Sequence, residues 1–491
     1  MEDLFEKLRE IKDSEIYPYH MPGHKRRACG SLSRELSGLD ITEIEGFDNL
    51  HQPEGILRDL QQKAARLYGA EESFYLVNGS TSGVLAAISA SLPRGGHLLM
   101  ARNCHKSAYH GAYLRNLKLS YLYPPPLAGS GIFDGVSPRQ VSQALEAEPE
   151  IGAVLLVSPT YEGRISDIRA IAEIAHKKGI PLIVDEAHGA HLGFGGVSPE
   201  NSCRLGADLV IHSTHKTLPA LTQTALLHVN GDLIRRERLR RFLRSYQTSS
   251  PSYLLMASID NALRYAEREG DAAFGRFERL YGKMIERLNF CRRLKILPWD
   301  KKRQDIGKLV ISVKGSGISG KELYDILLNK YQLQVEMAAE NYVLAMFTVN
   351  DSPEGYERMT YALLEIDREL TVRQTEDTEE KAGGLQNVNV WQRPVCEFPL
   401  SVAWEMDTKE VLLWESAGLC AGEFVNLYPP GVPVLAPGEM ITQQLCERIE
   451  SLLYAKLTVQ GVRIQDDKIY IKVLDDMEKR HGIRAEERIN R

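Results

Sequence analysis

Between residues 56 and 229 the chain alternates helical patterns with short, almost wholly apolar runs, and no other feature restricts its fold so strongly. Ile56 to Tyr68 places apolar residues at Ile56, Leu57, Leu60, Ala64 and Leu67, the spacing of a helix with one covered face. Gly79–Leu92, His105–Asn116 and Asp167–Lys178 read as further helices. Between and after them lie runs of strand length: Ser73–Val77, His97–Ala101, Lys118–Tyr123, Gly152–Val157, Pro181–Asp185, Asp208–His212 and Thr224–Val229. Strands with little polar alternation are covered on both faces. Repetition of this kind predicts an α/β domain, a mostly parallel sheet with helices on both faces.

The rest of the chain follows as smaller units. A helical stretch runs from about Gly231 to Cys291. A second α/β unit comprises strand Leu309–Val313, helix Lys321–Tyr331, strands Leu333–Glu336 and Val343–Thr348, and helix Pro353–Leu370. TVRQTEDTEEKAGGLQNVNV is polar, acidic and carries a double glycine, which predicts a linker. The expected organisation is therefore an N-terminal segment at 1–55, a large domain at 56–295, a smaller α/β domain at 296–370, a linker at 371–390 and a C-terminal module at 391–491. Within the first segment, residues 1–15 pattern as an amphipathic helix and YPYHMPGHKRR as irregular chain.

Charge and cysteine usage exclude several classes. Lys plus Arg is 60 against 66 Asp plus Glu, a net charge of −6 that does not suit a dedicated nucleic-acid binder. The basic run RRERLRRFLR at 235–244 reads as a solvated helix face or as salt bridges across a subunit interface. Seven dispersed cysteines, none in a CxxC pair, argue against a disulfide framework or a zinc ribbon. The N-terminus is charged from its second residue, which predicts no signal peptide. No apolar run approaches the ~18 residues of a membrane helix. A cytoplasmic protein without membrane or nucleic-acid partners is expected.

Four features carry chemistry. Lys216, in STHK, follows a short strand; alone it reads as a loop lysine, but burial can turn such a residue into a Schiff-base nucleophile. Asp185 ends the apolar strand of IPLIVDEAHGAH, and the carboxyl ends of strands are where open α/β sheets bind ligands. A carboxylate there can keep a pyridine nitrogen protonated, and His188 can reach the same ligand. LVNGSTSG at 76–83 sets glycines and the hydroxyls of Ser80, Thr81 and Ser82 at a helix N-terminus, a place for phosphate. His105, in NCHKS between a strand end and a helix, can lie flat on an aromatic ring. A plain helix cap needs one such residue, not the whole set. Together they supply the parts that hold pyridoxal 5′-phosphate (PLP).

The chain resembles the PLP-dependent ornithine/lysine/arginine decarboxylases of the aspartate-aminotransferase fold, in a short form resembling biosynthetic arginine decarboxylases. The resemblance rests on YHMPGHK, LVNGSTSG, NCHKS, SPTYEG, VDEAHGAH, STHKTLPALTQ, TSSPSYLLMASID and YPPGVPVLAPGE, spread nearly end to end. It implies the fold-type-I architecture of PLP enzymes. It makes Lys216 the cofactor-bonding lysine, Asp185 the partner of the pyridine nitrogen and His105 the stacking residue. Ser80, Thr81, Ser213 and His215 would hold phosphate, with Ser82 beside them, and His188 would sit near the phenolic oxygen. It also implies a homodimer, with TSSPSY reaching toward the neighbouring site.

The implied reaction is loss of the α-carboxylate of a basic amino acid as CO₂, in polyamine metabolism, with arginine favoured over lysine and ornithine. Lys216 and His215 both qualify to return a proton to Cα. Glu423 and Glu439 are candidates for recognising the distal cation. Two alternatives share the motifs: an aminotransferase or α-oxoamine-synthase-like enzyme on the same core, and a degenerate PLP-fold binding protein. The second would lack Lys216 or Asp185, and both are present. GSGISGKE at 315–322 approximates a phosphate loop, but Glu322 stands where magnesium binding needs Ser or Thr, so it reads as a turn and helix cap. His188 and His191 have ligand-like spacing without a third ligand, so no metal is expected.

Overall fold

The apolar runs form the strands of a seven-stranded sheet. A computed structural model of the chain describes residues 15, 17–19, 48–127, 130–196, 199–297, 300, 302–376 and 393–475. Its first strand is β1 (Tyr17–Tyr19), and the large sheet is built from β2 (Glu72–Leu76), β3 (His97–Ala101), β4 (Lys118–Leu122), β5 (Ala153–Val157), β6 (Leu182–Asp185), β7 (Leu209–His212) and β8 (Ala225–Val229). The spatial order is β2-β8-β7-β6-β5-β3-β4, and only the pairings of β8, with β2 and β7, are antiparallel. The fold class expected from the alternation is the one observed.

Helices α1 (Ile56–Tyr68), α2 (Gly79–Ser91), α3 (Lys106–Leu114), α4 (Pro138–Ala147) and α5 (Ile168–His176) cover the sheet. Helix α2 is apolar on nearly all sides and sits deep, with Val84, Ala86, Ala87 and Ile88 buried. Its approach to the sheet requires Gly83: a Cβ there would lie 2.7 Å from Leu76 Cδ1. Helix α4 went unassigned in the sequence, although Ser137 and Gln140 form a capping box before it, with proline in its first turn. The one-turn helix α6 (Thr214–Thr217) follows β7 and carries Lys216. The stretch after Gly231 is two helices, α7 (Arg236–Tyr246) and the 36-residue α8 (Tyr253–Leu288), broken at residues 247–252.

The small domain is a sheet ordered β12 (Met337–Ala338), β13 (Tyr342–Met346), β10 (Lys308–Ser312), β9 (Lys295–Ile296), with helices α9 (Gly320–Tyr331) and α10 (Pro353–Glu376). Helix α10 runs six residues into the segment expected to be a linker; residues 377–392 lie outside the described part. The N-terminal segment is not a unit of its own where described. Strand β1 pairs in parallel with β11 (Leu333–Val335), and Tyr17 donates to Asp351 at 2.7 Å. Residues 1–14 and His20–Lys25 of the HMPGHK motif lie outside the described residues.

The C-terminal module has its own apolar cluster, centred on Leu413, Val425, Leu435, Ile449 and Val473. It contains the short helix α11 (Leu400–Ala403), β14 (Thr408–Leu412), β15 (Val425–Leu427), β16 (Val432–Leu435), helix α12 (Gln443–Tyr454), β17 (Val459–Gln460), β18 (Val462–Gln465) and β19 (Lys468–Leu474). It docks on the β3–α3 corner of the large domain. Trp404 stacks on His110 with ring centres 5.4 Å apart, Lys106 N donates to Gly431 O at 3.2 Å, and buried Arg102 pairs with Glu439 at 3.1 Å.

Candidate active site

Asp185 and Lys216 meet because their strands are neighbours. Strands β6 and β7 run parallel, with Asp185 opposite Ile211, so the residues after each emerge at the same end of the sheet, the carboxyl ends of these strands. Asp185 is buried, and one carboxylate oxygen accepts from Ala187 N at 3.2 Å. Burial raises its pKa, against the pull of Lys216. Ser213 follows β7 at the N-cap of α6, which turns Lys216 back so that Nζ lies 3.1 Å from His188 Nε2. Burial lowers the Lys216 pKa, while Asp185 and Glu336 oppose the shift. The His188 imidazole is held neutral by burial and by Lys216.

The glycine-hydroxyl loop stands at the N-terminus of α2. Gly79 takes φ +71°, a left-handed conformation that favours glycine, and its N–H bonds Gln223 O at 2.9 Å. Ser82 donates to Gly79 O at 2.8 Å, which commits that hydroxyl to the loop itself. His215 Nδ1 lies 2.8 Å from Thr224 O on the facing segment. His105 caps α3, its Nδ1 accepting from Ser107 N at 3.2 Å. Burial, with Lys216 second, pushes its pKa down to about 3, so the ring is neutral. The YPPG turn of the C-terminal module lies against it: a Cβ on Gly431 would sit 3.3 Å from His105 Cδ2.

PLP fits this donor set. The Ser213 hydroxyl is buried without a partner, a costly state that a phosphate oxygen would relieve. The helix N-terminus, the part-buried amine, the buried carboxylate and the neutral imidazole match the remaining parts of the cofactor.

The structure adds residues that the sequence left without roles. Tyr161 packs edge-on against His188 with centroids 4.7 Å apart, and its hydroxyl donates to Glu336 of the small domain. Asp305 joins His191 Nε2 at 2.8 Å and the fully buried Lys308 at 3.2 Å, tying the two domains beside the site. Tyr161 was visible only as part of SPTYEG. Glu336 and Lys308 lie more than ninety residues from Lys216, and nothing local marks them. His188 and His191 turn to different partners, Lys216 and Asp305.

The remaining candidates have other engagements. Glu439 accepts from Arg102 at 3.1 Å and from Ala436 N at 2.8 Å, and Glu423 from Trp404 Nε1 at 3.2 Å and Phe424 N at 2.8 Å, all in the docked face of the C-terminal module. In GSGISGKE, Ser319 and Glu322 form a capping box at the start of α9. In the basic run, Arg236 and Arg240 pair with Glu71 and Glu72. Thr248 N of the QTSSPS segment donates to Asn78 Oδ1 at 3.0 Å, beside the glycine-hydroxyl loop.

Residues 3–277, more than half the chain, match the family described as Orn/Lys/Arg decarboxylase, major domain. The uncharacterized protein YaaO of Bacillus subtilis is 33% identical over 96% of this chain and 99% of its own. An arginine decarboxylase of B. subtilis is 30% identical over 93% and 95% respectively. Among solved structures, lysine decarboxylase A from Pseudomonas aeruginosa superposes with a TM-score of 0.72 at 19% identity, over 88% of this chain and 73% of that one, which supports the fold-type-I architecture. The chain belongs to the Orn/Lys/Arg decarboxylase family.

Proposed function

We propose that this decarboxylase removes the α-carboxylate of a basic amino acid, arginine in preference to lysine or ornithine, in a PLP-dependent reaction that yields CO₂ and the amine for polyamine metabolism. The observation that carries the reading is the 3.1 Å contact of Lys216 with His188 at the end of the sheet that Asp185 also occupies. Similarity to arginine decarboxylases over nearly the whole chain favours arginine.

When bound, PLP supplies an aldehyde that takes up amines and a protonated pyridine that accepts the electron pair left by departing CO₂. The protein's work is to position and to manage protons. Asp185 would hold the proton on the pyridine nitrogen. His105 would cover one ring face. Ser80, Thr81, Ser213 and His215 would hold the phosphate, with Ser82 shaping the loop. His188 holds Lys216 Nζ and would stand near the phenolic oxygen. Lys216, or His215 beside it, would return a proton to Cα. Tyr161 and Glu336 close the small-domain side against water. The enzyme acts in the cytoplasm as at least a homodimer, a reading supported by the exposed Ser249 and Ser250 next to the phosphate loop.

The test is product analysis with PLP and each of arginine, lysine and ornithine. CO₂ release without consumption of a keto acid or acyl-CoA is expected, fastest with arginine. No CO₂ from any of the three would overturn the reading.

A further inference from the structure

A cavity of about 180 Å³ lies where the large domain, the small domain and the C-terminal module meet. Its walls begin at residues that border the site described above. Asn103 precedes His105 by two positions, Glu162 follows the Tyr161 that packs on His188, and Pro430 belongs to the turn against His105. Met337, Val432, Val434 and Leu452 add aliphatic lining.

The polar groups of the cavity are unbalanced. Glu340 and Arg448 neutralise each other, and Ser451 donates to Glu340 at 2.8 Å. Glu162 accepts from Tyr342 at 2.9 Å, but among the described residues no cation pairs with it. Lys308, whose charge acts on Glu162, is committed to Asp305 at 3.2 Å. Burial raises the Glu162 carboxyl pKa in spite of its hydrogen bonds. Asn103 Oδ1 is a second acceptor, buried without a partner. A carboxylate without a counter-charge and an amide oxygen without a donor, in a cavity with aliphatic lining, are costly when buried. A planar group with five N–H donors and one positive charge on a polymethylene stem satisfies all three features.

We propose that this cavity holds the guanidinium at the far end of the substrate's side chain, with Glu162 as its counter-charge, Asn103 Oδ1 as a second acceptor and Tyr342 fixing the carboxylate. The inference rests on the decarboxylase reading and narrows it to arginine. It moves recognition of the distal cation away from Glu423 and Glu439, whose oxygens hold the C-terminal module.

The probe is n-butylguanidinium, which has the stem and the cation but no amino group to react with the cofactor. Calorimetric titration of the PLP-loaded protein should show one site, and the compound should compete with arginine in the CO₂ assay. Glu162→Gln should weaken its binding roughly tenfold to a hundredfold, and raise the KM for arginine by a similar factor with a smaller change in kcat. Val432→Trp fills the cavity from the C-terminal module without touching Glu162 and should abolish binding. Retention of the cofactor absorbance band reports that either variant is folded. Unchanged affinity in both variants, or inhibition that arginine does not relieve, would overturn the proposal. The two readings fail separately. Glu162-dependent binding without CO₂ release from any basic amino acid removes the reaction and keeps the cavity. Arginine decarboxylation that Glu162→Gln leaves with the same KM removes the cavity and keeps the reaction.

Discussion

The amine of Lys216 lies 3.1 Å from Nε2 of His188. The two come from the ends of neighbouring parallel strands, twenty-eight positions apart in the chain. Both are pushed by burial toward their neutral forms. Burial and the neutral imidazole both disfavour the ammonium form of Lys216, whereas a carboxylate in the place of His188 would favour it.

This has a consequence for cofactor loading. Only the free amine attacks an aldehyde, and a pKa lowered from 10.5 puts more of Lys216 in that form at any pH below 10.5. Reconstitution of the apoprotein with PLP, followed by visible absorbance, should accelerate as pH rises through a midpoint below 10.5. Borohydride treatment should then leave the label on Lys216 when peptides are mapped. A midpoint at the ordinary lysine value, or a label elsewhere, contradicts the assignment.

Asp185 offers a sharper test of the electron path. Its carboxylate is buried at the strand end and, among the described residues, accepts from Ala187 N, which leaves it able to take a strong donor. Asp185→Asn keeps the shape and removes the charge. The variant should still load cofactor, because Lys216 and the loop at Gly79 are untouched. Its decarboxylation should slow by roughly 10²–10⁴-fold, the range for losing a positioned proton-holding group. Near-normal turnover would mean that another residue faces the pyridine nitrogen.

The sequence exposed one side of this site and hid the other. Asp185, His188, Ser213 and Lys216 stand out as candidates in the sequence because each lies at or just after an apolar run whose length marks a strand end, and strand ends are where open α/β sheets bind ligands. Glu336 and Lys308 do not, because tertiary packing alone brings these small-domain residues beside it; in the chain Lys308 opens β10 and Glu336 sits in the bend between β11 and β12, with nothing local to mark either. Strand β1 was hidden by Pro18, which reads as a breaker but is tolerated where a strand pairs on one side only. The end of α10 was placed at Leu370 because the polarity changes there, yet no Gly or Pro stops a helix before Glu376. Glu439 looked like a substrate contact because the motif around it is distinctive, and its partner Arg102 lies 337 positions away.

That pair gives a third prediction. Arg102 and Glu439 have side-chain exposures of 1% and 4%, so removing one charge strands the other out of water. Glu439→Gln should cost about 3–5 kcal/mol, and the double variant Arg102→Met with Glu439→Leu should recover much of that loss. Urea unfolding of the three proteins measures both effects. Were Glu439 instead the reader of the distal cation, Glu439→Gln would raise the KM for substrate and leave the unfolding midpoint unchanged.

The last prediction concerns assembly. The segment QTSSPS breaks the helical stretch between α7 and α8, and Thr248, Ser249 and Ser250 are exposed in the single chain. It is nevertheless fixed in place: Thr248 N donates to Asn78 Oδ1 at 3.0 Å, and Thr248 O accepts from His51 at 2.7 Å. Ordered backbone that presents hydroxyls beside a phosphate loop suits a second subunit, and twofold symmetry would carry each segment to the other site. Sedimentation should find a dimer or larger assembly at working concentration, and a fully active monomer would sink the idea. The serines can be tested by mixing. Lys216→Ala chains have no nucleophile, and chains with Ser249→Ala and Ser250→Ala lack the hydroxyls; each preparation alone should be weak. If the serines serve the neighbour, a mixed dimer has one site carrying both defects and one site carrying neither. Activity should rise on mixing toward that of one intact site per mixed dimer, whereas serines acting within their own chain leave every site defective and give no recovery even when subunit exchange is proven.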